Sequence, residues 1–280
     1  DSKIVIWLSE TINVTIEIDR RKKPGSQSYD TELGKYNELG VGGEKHLPHE
    51  QILLQTLEKL GNKRLAKRRK EAQRLLRENG ATHNLFGPAD TTRDWQFDPI
   101  PLVIGSEEWS LVEQGLVQRA ELLNLILADI YGPRKLIENG LLPPEAVFTH
   151  RGFLWPCVGL LPPGGRHLNF YSANIARAKD GRFWILDDHS TPPFGSGYAL
   201  ENRVVMTRSF PRLYQDFQVH RLAMFFRALR NRLTLLARNN QTEPRIVVLT
   251  PGPEHALYFE HAYLASYLGY TLVQGGDLVV

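Results

Sequence analysis

The run RIVVLT at 245–250 constrains the fold of this chain more than any other stretch. It is apolar without alternation, the pattern of a strand buried on both faces in a parallel sheet. PGPEHALYFEHAYLASYLGY follows, opened by Pro and Gly, apolar at helical spacing, and stopped at Gly269. TLVQGGDLVV then returns to a strand pattern. Strand, helix and strand of this length make a βαβ unit, because a parallel pair needs a long crossover. The chain is therefore predicted to be α/β.

Upstream, two periods alternate. KIVIWLS (3–9) and INVTIEI (12–18) are rich in β-branched residues and predict a short strand pair. Residues 20–45 are polar and Gly-rich, as a linker is. A helical pattern runs from Pro48 to about Asn79 with a break at Gly61. THNLF and IPLVI read as extended. The longest helix is predicted over 106–132, from Ser106 with Glu107 and Glu108 behind it to the stop at Gly132–Pro133. LNFYSANIARA and GRFWILDDH form a predicted hairpin around the turn KDG. YALENRVVMTRSF and VHRLAMFFRALRNRLTLLA read as helices. The expected organisation is a strand pair and linker (1–45), a helical and sheet part (46–240) and the start of a Rossmann-like subdomain (241–280).

Composition narrows the class. The 280 residues are 42% hydrophobic and 23% charged, ordinary for a globular chain, with a net charge of +3. One cysteine, Cys157, excludes an intrachain disulfide framework and a multi-Cys zinc site. This suits a reducing cytoplasm, and its apolar neighbours FLWPCVGLL predict a buried structural thiol. No apolar run approaches the roughly 20 residues of a membrane span. The basic stretch 63–77 reads as a solvated helix, with Leu65, Ala72, Leu75 and Leu76 left to pack. A nucleic-acid or phosphate surface is the alternative, but no aromatic residue interleaves there to stack on bases. The first residue is Asp1 and the last ten stop within a strand pattern, so the expectation is a fragment of a longer protein.

The densest chemistry lies in DDHSTPPFGSGYALENR, residues 187–203. Asp188, His189 and Ser190 do not make a nucleophile triad, because such groups must converge from separated positions. A metal edge fits the first residues better. Asp187 ends a strand; alternation sends Asp187 and His189 to one face and Asp188 to the other. Asn174 stands across the hairpin near Asp187. Carboxylate, amide and imidazole there would hold Mg²⁺ through one or two direct contacts. The alternative is a hydrogen-bonded loop in which Asp188 or Ser190 caps the turn. LTPGPEHAL (249–257) is a strand–turn–helix corner whose free N–H groups suit an anion.

Four ordered blocks carry a resemblance: RAELLNLILADIYGPRKLIENGLLPPEAVF, GFLWPCVGLLPPGGRHLNFYSANIARAKDGRFWILDD, GSGYALENRVVMTRSFP and VVLTPGPEHALYFEHAYLASYLGYTLVQGGDLVV. Together they resemble the circularly permuted ATP-grasp proteins, relatives of glutathionylspermidine synthase. The match runs from about Tyr36 to the C-terminus. The resemblance implies an ATP-grasp fold and ATP- and Mg²⁺-dependent ligation of a small-molecule or peptide carboxylate to an amine through an acyl phosphate. It also implies an α-helical or transglutaminase-like protein partner.

By order and spacing, the resemblance puts the metal positions on Asn174, Asp187 and His189. It makes Asp188 and Glu201 supporting carboxylates and Arg203 a phosphate or carboxylate clamp. Asp188, Asn202 and Arg203 fall on nucleotide-binding positions, near the loop around Pro193–Gly197. Three departures stand out. Asn174 replaces a carboxylate, His189 replaces an Asn, and Asp187 is one methylene shorter than the usual Glu. His255 also stands where Asn is common. ATP-contacting lysines are expected beyond Val280. A non-catalytic relative acting as scaffold or binding module is the alternative that these departures favour.

Overall fold

A computed structural model describes residues 4–6, 47–84, 92–178, 180–191, 194–237 and 244–278. β1 (Ile4–Ile6) pairs antiparallel with β4 (Leu102–Ile104), placing Ile4 opposite Ile104. The expected partner of β1, residues 12–18, and the linker 20–45 lie outside the described residues.

α1 (Pro48–Glu78) is two helical stretches across a kink at Gly61, where φ is 71° and ψ 156°. Its basic second half packs through Leu65, Leu75, Ala72 and Leu76. Most of its cations are exposed, Arg74 pairing with Glu78 at 3.5 Å, while the half-buried Arg68 lies over the core ring of Phe210 at 5.1 Å. β2 (Thr82–Asn84) and β3 (Thr92–Asp94) form a small antiparallel pair.

α2 (Ser106–Ile130) buries none of its residues fully. It leads into two short helices, α3 (Lys135–Glu138) and α4 (Pro144–Phe148). The Asp129 carboxylate starts α3 by accepting the N–H groups of Lys135 and Leu136, both at 2.9 Å. Cys157 is half-buried in the turn that follows α4, more open than the apolar run around it suggests.

β5 (Ser172–Arg177) and β6 (Phe183–His189) form the predicted hairpin. The Ala178 N–H donates to the Arg182 carbonyl at 2.8 Å, and Gly181 takes φ 80° to close the turn. α5 (Ser196–Ser209), α6 (Pro211–Asp216) and α7 (Ala223–Leu236) follow. The main core joins Leu53, Leu76, Trp95, Val205, Phe210 and Phe217. α5 runs through this core with nine buried residues, from Gly197 to Ser209.

β7 (Val247–Leu249) and β8 (Thr271–Val273) pair in parallel across α8 (Tyr258–Leu268), so the crossover reading holds. The helix starts seven residues later than its sequence pattern suggests. Pro251 and Pro253 flank Gly252 at φ 119°, a backbone state that ends β7 in a turn rather than opening a helix. Among the described residues, no helix is long and apolar enough to cross a membrane.

Candidate functional site

The β5–β6 hairpin sets the geometry. Asn174 stands opposite Asp187, but Ile175 stands opposite Ile185, so Leu186 is an extra residue on β6. This bulge shifts the alternation. Phe183, Ile185 and Asp188 lie on the covered face; Trp184, Leu186, Asp187 and His189 are exposed. Without the bulge, Asp187 and His189 would share the face of Phe183 and Ile185.

On the open face three polar groups converge. Asn174 Nδ2 donates to Asp187 Oδ1 at 3.0 Å and Oδ2 at 3.1 Å. It also lies 3.1 Å from His189 Nε2, which is 2.6 Å from Asp187 Oδ1. The side chains of Asp187 and His189 are 52% and 46% exposed, so the cluster is open to a ligand from solvent.

The covered face fixes the strand ends. Arg119 of α2 donates to Asp188 from Nε at 2.9 Å and from its terminal nitrogen, and the Tyr171 hydroxyl donates to the same carboxylate at 2.6 Å. Arg119 first, and Tyr171 second, hold the Asp188 carboxyl down at about 2. At the other end Arg177 bonds Glu108 of α2 and lies 4.1 Å from the Phe183 ring centroid. Two ion pairs therefore clamp α2 across the hairpin. Sequence reasoning missed Arg119, Tyr171 and Glu108. Helical spacing puts Arg119 and Glu108 on α2 but says nothing of what α2 crosses.

Glu201, Asn202 and Arg203 sit elsewhere, inside α5, with side chains turned into the core. Asn79 Nδ2 donates to Glu201 Oε1 at 2.6 Å. Burial first, and the adjacent Glu201 carboxylate second, push the Tyr263 phenol upward. Trp95 Nε1 donates to Asn202 Oδ1 at 3.0 Å, while the Trp95 ring stacks on Tyr198 at 4.1 Å. Arg203 lies 5.8 Å from the Tyr214 ring centroid, and burial lowers its guanidinium pKa. Thus the structure joins Asn174, Asp187 and His189 on one surface, turns Asp188 to the opposite face, and gives Glu201–Arg203 partners in the core. Replacing Trp95 by Phe should keep the stack and strip Asn202 of a buried donor. We expect a loss of about 2 kcal/mol in urea denaturation.

Glu260, which carried no signal in the motif reading, reaches the start of α5 from α8. Gly195, the N-cap residue at φ 105°, donates its N–H to Glu260 Oε1 at 2.7 Å and Oε2 at 2.8 Å. Gly197 N–H donates to Oε1 at 2.8 Å, and the Ser196 hydroxyl stands 3.4 Å away. Glu260, 2% exposed, thereby occupies the positive end of α5 with a carboxylate from α8. Pro193, part of the loop expected near the nucleotide, lies outside the described residues.

At the β7 corner, Thr250 accepts the Gly252 N–H at 3.3 Å and its hydroxyl stands 3.0 Å from His261 Nδ1. His255 stacks on His261 with ring centroids 5.4 Å apart. Burial first, and His255 second, lower the His261 pKa. A lowered folded pKa means the unfolded chain binds the proton first. This contribution to stability is present above about pH 6.5 and is lost as pH falls below it. His261→Asn should therefore flatten the acid side of a stability–pH curve measured by denaturant titration from pH 8 to pH 5.

Comparison with known proteins follows the same blocks. The description "circularly permuted ATP-grasp type 2" matches residues 101–280. An uncharacterized protein of Mycobacterium tuberculosis is 41% identical over 186 residues, 66% of this chain and 21% of the relative. One from Synechocystis is 35% identical over 255 residues, 91% of this chain and 53% of its own length. One from Mycobacterium leprae is 36% identical over 205 residues, 72% of this chain and 35% of the relative. The chain thus spans between about a fifth and about half of these relatives. With more than half of its residues covered, the chain belongs to the circularly permuted ATP-grasp type 2 family.

Proposed function

We propose that the protein to which this chain belongs is an ATP- and Mg²⁺-dependent carboxylate–amine ligase, with the open end of the β5–β6 hairpin as its cation edge. The observation that carries the reading is the convergence of Asn174, Asp187 and His189 within 2.6–3.1 Å on an exposed face. A carboxylate, an amide and an imidazole gathered on one open face would hold a divalent cation through one or two direct contacts, with water and phosphate oxygens supplying the rest. Asn174 turns its NH₂ to Asp187; a half-turn about its terminal torsion would present Oδ1 at the same place.

In the ligation, a carboxylate oxygen attacks the γ-phosphorus of ATP and ADP leaves. The amine nitrogen then attacks the acyl carbon, loses a proton and expels phosphate. A bound cation supplies charge neutralisation on the phosphates. Asp187 supplies the negative charge that holds it, and His189 and Asn174 supply neutral donors. Asp188, clamped by Arg119 and Tyr171, keeps the strand end at a fixed height. Glu201, Asn202 and Arg203 position α5 from inside the core.

A non-catalytic scaffold is the second reading, favoured by the amide at position 174 and by the burial of residues 201–203. Phosphate release from ATP separates the two. The ligase reading expects release that requires a divalent cation and rises with amine and carboxylate substrates. Nucleotide binding without turnover, across a panel of amines and peptides, would leave the scaffold.

A further inference from the structure

We propose that Arg134, with the open face of Trp155 beside it, binds a carboxylate carried on an apolar body, such as the C-terminus or an acidic side chain of an apolar peptide. The site lies past the C-terminal end of α2, beyond Glu108 and Arg119, where the hairpin is clamped. It stands independently of the cation edge.

The backbone sets Arg134 first. It takes φ 59° and ψ 31°, the left-handed region that residues other than glycine rarely enter. Asp129 holds it there: its carbonyl accepts the Arg134 N–H at 2.8 Å, and its carboxylate accepts the next two N–H groups. Such strain persists where surrounding contacts over-determine it, and it gathers at ligand sites. The side chain meets two rings. Its guanidinium carbon lies 5.5 Å from the Phe148 centroid and 5.7 Å from that of Trp155, within cation–π reach of both. Those rings stack on each other at 5.1 Å, and Phe153 meets Trp155 edge-on at 4.9 Å. Phe153 in turn stacks on Tyr131, whose hydroxyl accepts the Leu154 N–H at 3.1 Å. Cation and aromatic platform are therefore fixed together before any ligand arrives.

Among the described residues no carboxylate pairs with Arg134, and its buried Nε makes no hydrogen bond. Asp129, in the same turn, commits its carboxylate to the start of α3. Arg134 is half-buried and its two terminal nitrogens are not enclosed, so they present an end-on fork to solvent. A planar fork held against rings matches the two oxygens of a carboxylate. Lys135 and Arg151, both exposed, add positive charge close by in the chain. The body of the ligand follows from what adjoins the fork. Trp155 is 57% exposed and Leu154 56%, an apolar ledge beside the cation. A bare inorganic anion would leave that ledge in water, whereas an apolar carboxylate covers it.

Calorimetric titration of the whole protein with N-acetylphenylalanine tests the site, with N-acetylphenylalanine amide and inorganic phosphate as comparisons. The acid should bind about tenfold or more tightly than the amide, because the charge-assisted pair forms only with the acid. Arg134→Asn, which tolerates the left-handed backbone, should weaken the acid about tenfold. Arg134→Lys should lose nearly as much, since an ammonium keeps the charge without the fork. Trp155→Ala should weaken the acid about fivefold by removing the ledge. Circular dichroism checks that each variant keeps its fold. Equal binding of acid and amide, or acid binding unchanged in Arg134→Asn, would overturn the proposal. An affinity unmoved by Trp155→Ala would overturn the apolar ledge, and phosphate binding more tightly than the acid would overturn the carboxylate assignment. No binding of the acid would remove the site altogether and leave the cation edge untouched.

Discussion

Replacing Glu260 by Ala should lower the stability of the protein by about 3 kcal/mol, read as an earlier urea midpoint at unchanged slope. The Glu260 carboxylate is 2% exposed and accepts the backbone N–H groups of Gly195 and Gly197 at the first turn of α5. Truncation leaves the buried Gly197 donor and the half-buried Gly195 donor without that acceptor, and hydrogen bonds to a charged group contribute about 1.5–3 kcal/mol. It also removes the negative charge that faces the positive end of α5. Glu260→Gln keeps an acceptor and should cost less. Gly197→Ala should act on the same contact from the other side, since a Cβ there would stand 2.9 Å from Glu260 Cγ. The link matters for the fold because α5 threads the main core while α8 forms the βαβ crossover; Glu260 ties the two together.

Replacing Asp187 by Ala should cost at least about tenfold in Mg²⁺–nucleotide affinity, with almost no loss of stability. Asp187 contributes the single negative charge among the three converging groups, and its side chain is half exposed. An exposed side chain away from caps and cores changes stability by about 0.5 kcal/mol or less. Asp187→Asn separates shape from charge, since it retains oxygen in place and should lose affinity nearly as far. Calorimetric titration with Mg²⁺–ADP reads both variants, and an affinity that survives Asp187→Ala would move the cation away from this hairpin.

The residues differ in how far their places could be read from sequence. The βαβ crossover was legible from the order of strand, helix and strand patterns, but the burial expected of RIVVLT on both faces is not found: Val247 and Leu249 are exposed in the two-stranded β7–β8 pair. The hairpin was legible from alternation on both sides of a Gly-bearing turn. The shared face of Asp187 and His189 follows from period two alone, whereas the pairing of Asn174 with Asp187 needs the bulge, since the register of Ala176 with Trp184 and Ile175 with Ile185 would otherwise set Asn174 opposite Leu186. Which face that is does not follow. The Leu186 bulge decides it by shifting the phase between Ile185 and Asp187, and no residue type announces a bulge there. Glu201–Asn202–Arg203 reads as a polar ligand cluster because three polar residues adjoin. Burial against Asn79, Trp95 and Tyr214 comes from elements far away in sequence. Glu260 was hidden for the same reason: within α8 it looks like any acidic helix residue, and only the approach of Gly195 and Gly197 gives it a function. The late start of α8 shows local chemistry overriding periodicity, since Gly252 at φ 119° between two prolines closes a turn first.

The central claim is that the open end of the hairpin is a cation edge, and Asn174→Asp tests it most directly. The substitution sets a second carboxylate where an amide nitrogen now stands 3.0 Å from Asp187 Oδ1. Without a divalent cation the two like charges repel. With one, they hold it together, as paired carboxylates do for Mg²⁺. Thermal unfolding of Asn174→Asp should therefore begin lower than that of the parent in chelator, and rise with added Mg²⁺ more steeply than the parent does. A variant whose unfolding temperature responds to Mg²⁺ no more than the parent's would contradict the account.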